Sequence, residues 1–179
     1  MAASTPGFAL TVAELRLVAG FAVSFAEDVL PVFESTVGDD PRPRSAIGAA
    51  LEFVDGGPRA TRQRVAAFEA HRAAREAPDE AARWAAQAAG DAAAAAYLHP
   101  IAQAQQVGHI LRAAASAAHV AELRAGGDPS ASDGVIAVAR DRATPVLVDV
   151  LRRYPRVHAG RTRAAQLMAL LDAELRRVR

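Results

Sequence analysis

The run Ala92-Ala93-Ala94-Ala95-Ala96 sets the terms for this chain. Alanine is the strongest helix former and has no rotamer freedom to lose, so such a run has helix as its first choice. It also leaves little side chain to bury. Hydrophobic residues make up 51% of the 179 but aromatic ones only 5%, and alanine supplies the difference. Burial must therefore come from many close approaches of helix backbones rather than from bulky side chains. The expected class is all-α: a compact bundle or array of about seven antiparallel Ala-rich helices in one domain, 1–179, with no repeat or long linker.

Taken in order, Thr11-Val12-Ala13-Glu14 is a capping box opening a helix that runs to Phe33. Its polar residues are confined to the stripe Arg16, Gly20, Ser24, Glu27, Pro31, Glu34, so this helix reads as central and mostly buried, with Pro31 on its wet side. Asp40 is an N-cap and Pro41 a first helical residue for a second helix, whose stripe is Ile47, Ala50, Leu51 and Val54. Three residues before Ile47 lies Arg44. A guanidinium on a buried stripe, at the helix end where the dipole opposes a cation, needs an acid. Asp91 is the expected partner, with Glu27 or Asp28 behind it, and Arg44 should matter more to stability than Arg42.

Pro58 opens a third helix with Ala60, Ala67, His71 and Ala74 inward and Phe68 beside them. Pro78-Asp79-Glu80 opens a fourth, with the stripe Trp84, Ala88, Asp91, Ala95, Leu98. A fifth is expected from Ile101 to about Arg124. Its small residues Ala104, Gly108, Ala115 and Ala118 allow close approach to the preceding alanine run, and its other arc is a polar ridge of Gln105, His109, Arg112, Ser116 and His119. The stripe Ile136, Ala139, Ala143, Val146, Val150 crosses Pro145, which fits either one kinked helix or two short ones. A last helix, 160–178, uses Ala164, Leu167, Leu171, Leu175 and Val178.

The inventory excludes several chemistries. There is no lysine, no cysteine and no asparagine, so a phosphate-binding P-loop, Schiff-base catalysis, thiolate chemistry and disulfides are all ruled out. The histidines at 71, 99, 109, 119 and 158 never fall three or four apart, so no metal site is expected. No Gly-x-Ser-x-Gly elbow occurs, and the adjacent acids Asp79 and Glu80 are explained by capping. We therefore expect no enzyme, no cofactor and no membrane span, the apolar run from Leu17 to Ala26 being too short, and a cytoplasmic protein. Charge is uneven: up to Asp128 there are 11 arginines against 15 acids, and from Pro129 onward 10 against 5.

Two functions fit. One is a non-catalytic protein-binding module whose partner surface is the ridge His109, Arg112, Ser116, His119 together with His71; a homodimer is compatible with it. The ridge also has a plain reading as the solvated face of an amphipathic helix, and His71 as a core or rim histidine bonded to backbone. The alternative is a nucleic-acid-binding helical protein using Arg152, Arg153, Arg156, Arg161 and Arg163. An enzyme would require a pocket that gathers His71, Asp91 and His109.

Three motifs carry a family resemblance. Leu30-Pro31-Val32-Phe33-Glu34 ends the first helix, Asp40-Pro41-Arg42-Pro43-Arg44-Ser45-Ala46-Ile47 follows, and then come His71-Arg72-Ala73-Ala74-Arg75 and Ala88-Ala89-Gly90-Asp91. In this order they resemble the immunity-protein-five-like family of small all-helical bacterial proteins associated with toxin systems, over roughly residues 10–154. Asp91 stands where the family pattern usually has histidine, and the helix from Arg161 looks like an addition to the family core. The resemblance implies an immunity protein that binds a cognate toxin.

Overall fold

The computed structural model describes residues 7–178, and among them helices are the only extended elements, in the order α1 (Val12–Thr36), α2 (Arg42–Val54), α3 (Thr61–Glu76), α4 (Glu80–Ala94), α5 (Gly108–Arg124), α6 (Ala131–Arg142), α7 (Pro145–Arg152) and α8 (Arg163–Leu175). Two short 3₁₀ turns, Ala95–Tyr97 and Ala104–Val107, link α4 to α5. Thr11 and Glu14 form the expected capping box on α1. None of the six residues of the polar stripe is buried, and helix continues through Pro31, whose ring is exposed. The opposite side of α1 supplies Phe21, Phe25, Leu30 and Phe33 to the core.

Alanine does what its size permits. Ala85, Ala86, Ala88, Ala89, Ala92 and Ala93 of α4 and Ala113, Ala114, Ala115, Ala117 and Ala118 of α5 are all buried, and α4 packs against α1, α2, α3 and α5. With no side chain beyond Cβ, two such faces can approach to the short end of interhelical distances, roughly 8 Å. The fifth helix starts later than its sequence predicts. Leu98 to Gln103 is a loop, held by the Tyr154 hydroxyl donating to the His99 carbonyl at 2.9 Å and by the His99 N–H donating to Gln106 Oε1 at 2.9 Å. Burial pushes the Tyr154 phenol up to about 12. Around Pro145 the chain forms two short helices, with Thr144 accepting from the Leu147 N–H to cap the second.

Arg44 corrects the sequence reading. The buried residues of α2 are Pro43, Ala46, Ile47, Ala49, Ala50 and Phe53, so the stripe steps back from Ile47 by four to Pro43, not by three to Arg44. Arg44 is 67% exposed and grips Glu34 with both Nε and Nη2, at 2.6 and 2.7 Å. Asp91 is not its partner. Asp28 pairs instead with Arg142 at 2.6 Å, and Glu27 is exposed. Pro41, rather than the expected Asp40, occupies the N-cap of α2; Asp40, one residue earlier, accepts from the Arg42 N–H at 3.0 Å and also binds the Arg42 guanidinium, which reaches Glu76 of α3 at 2.5 Å. Arg42, two residues before the position expected to carry an ion pair, thus helps tie α2 to α3.

The last two helices are pinned by arginines. Arg163 at the start of α8 makes a forked contact with Glu122 of α5, Nε at 2.9 Å and Nη2 at 2.5 Å. Arg153 bridges Glu14 at 2.5 Å and Asp149 at 2.6 Å, and with the Thr11 N–H it holds the Glu14 carboxyl down at about 2. Arg152 donates to the carbonyls of Arg176 and Val178 at the end of α8.

Candidate functional site

Asp91 lies in the last turn of α4, where the alanine packing has closed around it, and it is 3% exposed. An ionised carboxylate there needs compensation. Two basic side chains approach the same oxygen: His71 Nε2 from α3 at 3.3 Å and Arg112 Nη1 from α5 at 3.5 Å. Gln87, one turn earlier on α4, donates to the other oxygen at 3.3 Å. All three contacts are long, and the His71 approach is off line, so that Nε2 is out of solvent with no hydrogen bond.

Glycines make this convergence geometrically feasible. The His71 ring presents its Cδ2–Nε2 edge to Gly90, where a Cβ would sit 2.2 Å from its Cδ2. The Arg112 guanidinium crosses Gly108, where a Cβ would sit 2.2 Å from its Nη2. One glycine on each of two neighbouring helices thus clears a path to one buried acid.

Beside the cluster lies a groove of about 320 Å³ between α3 and the α4–α5 connection, lined by Arg64, Ala67, Phe68, His71, Ala94, Tyr97, His99 and His109. Phe68, expected beside the inward stripe, is 67% exposed and stands on the rim. Tyr97 donates to the Ala60 carbonyl at 2.6 Å, and the Arg64 guanidinium sits 4.8 Å from its ring centroid. His109 bonds the backbone of Ala94, its Nδ1 is buried without a partner, and burial together with Arg112 keeps it below the usual histidine range, hence neutral at pH 7. A second groove, about 350 Å³ between α1, α5 and α6, gathers none of these groups.

The predicted ridge divides in two. His109 and Arg112 join His71 around Asp91, whereas Ser116 is fully buried with an unpartnered hydroxyl and so cannot belong to a partner surface. The plain reading as a solvated face fails at the same residue. His119 is half-buried, edge-on to Trp84 with centroids 5.2 Å apart, and lies 3.5 Å from Glu122. Glu122 is the residue that sequence reading missed. Its signal was present, since it lies one three-residue step beyond His119 on the same ridge. Arg163 holds its carboxyl below the usual range.

Among the described residues no group of His, Asp and Glu side chains is arranged to hold a metal ion, and no helix is long and apolar enough to cross a membrane. No curated protein and no solved structure matches the chain. A family model does, over residues 9–142, from the strand of chain before the capping box to the last residue of α6, and its description reads "Imm-5 like putative immunity protein". The match spans three quarters of the sequence and includes every residue around Asp91, while α7 and α8 lie beyond it. By that match the chain belongs to the Imm-5-like immunity protein family.

Proposed function

We propose that the protein neutralises a cognate toxin by binding it, without catalysis, through the surface around the α3 groove. The observation that carries this reading is Phe68, a large apolar side chain left 67% exposed on the rim of a preformed groove beside a second aromatic, Tyr97. Exposed aromatics next to pockets are the usual anchors of protein interfaces, because they bury much area at little entropic cost. His71, His109 and Arg112 supply the polar part of the surface, and His119 lies outside it. The nucleic-acid alternative has less support: of its five arginines, Arg152, Arg153 and Arg163 are engaged in internal contacts that hold α7 and α8, which leaves Arg156 and Arg161 exposed. Coexpression with a candidate toxin, sought first among the genes neighbouring its own, tests the proposal. Wild-type protein should restore growth and Phe68→Asp should not, while the variant stays folded by circular dichroism. Full protection by Phe68→Asp would remove the groove from the interface.

A further inference from the structure

The walls of the α3 groove carry Arg64, His71, His99 and His109 and not one carboxylate. Asp91, the acid that approaches His71, lies behind that ring and is closed off from solvent. The His71 ring turns its Nε2 and Cδ2 toward Asp91 and Gly90, which leaves the Nδ1 edge on the groove side. Chemically this is a histidine backed by a buried carboxylate and facing a cavity of positive and apolar character.

Resting on the function proposed above, we propose that the groove receives the carboxylate of an acidic side chain that the partner presents next to an aromatic or aliphatic one, with Phe68 and Tyr97 taking the apolar neighbour. His71 takes up a proton from solvent as the acid arrives, and the imidazolium then bridges two carboxylates, Asp91 at Nε2 and the incoming one at Nδ1. Nothing is broken or formed covalently. The charged and titratable groups facing His71 are Asp91 on α4, His109 and Arg112 on α5, His99 in the connecting loop and Arg64 on α3 itself. Arg64 and Arg112 keep their charge throughout, so the protonation change falls on the histidines. His99 is held through its own backbone, its carbonyl by Tyr154 and its N–H by Gln106, so this wall of the groove is in place before a guest arrives.

The test uses the full chain and three probes: the blocked dipeptide acetyl-Phe-Asp-amide, its Asn analogue, and inorganic phosphate, followed through the histidine ring signals by NMR at pH 6 and pH 8. The Asp peptide should shift His71 and His99, bind at least about tenfold more tightly than the Asn peptide, and bind more weakly at pH 8 than at pH 6, the sign that proton uptake on binding gives. Arg64→Glu should abolish it without loss of fold. Equal affinity for the Asp and Asn peptides overturns the proposal, as does a His71 signal that does not move. If phosphate binds as tightly as the Asp peptide, the groove holds an adventitious ion only. Should Arg64→Glu still neutralise the toxin fully, the acidic-guest proposal falls while toxin binding itself stands; a protein that binds the Asp peptide yet never protects cells fails the function and not the chemistry.

Discussion

The α5 helix carries a buried carboxylate contact near each end, and the two are built differently. At its C-terminal end Glu122 is gripped by Arg163 through a planar fork at 2.5 to 3.2 Å. Near its N-terminal end Arg112 reaches Asp91 only at 3.5 Å, and His71 reaches it off line at 3.3 Å. Both acids are under 5% exposed, so burial does not distinguish them. Geometry does. A forked, short contact has little to gain from any further partner, so it serves the fold; a buried acid with long contacts on one oxygen leaves its partners unsatisfied and open to a guest. The glycines fit the contrast, since both lie under the Asp91 cluster.

The sharpest way to break this contrast is Arg163→Ala. It strands Glu122 in the interior, and the expected loss is about 2–3 kcal/mol, below the ~3–5 of a fully buried pair because Arg163 is itself 38% exposed. Denaturant melts measure it. The same pair sets an acid limb: Glu122 and Glu14 both have folded pKa values below the ordinary 4.5, so their stabilisation is present above that value and disappears as the pH falls, for Glu14 toward about 2. Melts from pH 6 to pH 2 should show a steep decline in the wild type and a shallower one in Arg163→Ala. Equal slopes would mean that Glu122 is no structural lock.

An intermediate case sharpens the scale. Arg42 is 25% exposed and holds two acids, Asp40 ahead of α2 and Glu76 on α3, so Arg42→Ala should cost about 1–2 kcal/mol, more than Arg44→Ala at an exposed pair. The opposite order would restore the sequence-based ranking. The smallest effect is expected at the loose cluster. Asp91→Asn keeps the shape and removes no good hydrogen bond, so the fold should lose about 1 kcal/mol or less while the histidine signals of the groove move. Gly90→Ala should be near neutral for stability, because better helix propensity, about 1 kcal/mol, offsets the displaced ring, yet it should expel His71 from its place. A loss as large as that of Arg163→Ala at either residue would erase the distinction between the two acids.

How much of this could be read from sequence varied with the range of the interaction. Capping at Thr11, the wet stripe through Pro31 and the helical class are local, and periodicity carries them. Arg44 failed on a single step, since a helical stripe admits offsets of both three and four and only packing chooses Pro43. The ridge on α5 failed for another reason. That helix has α1, α4, α6 and α8 against it, so a polar side chain such as Ser116 can be sealed in by neighbours that its own period does not reveal. The pairs Glu122–Arg163 and Glu14–Arg153 join residues far apart in the chain, and no spacing rule announces them.

The chain has one tryptophan, and its position gives the two ends of the molecule separate optical identities. Trp84 touches the His119 ring edge-on, within the Glu122 neighbourhood, and does not line the α3 groove. An indole beside an imidazole loses emission when that ring acquires a proton, so intrinsic fluorescence reports the locked acid and the docking of α8. Ligand binding at His71 is expected to leave that emission unchanged. One unlabelled sample therefore has two channels, light from Trp84 for the clamp and histidine resonances for the groove.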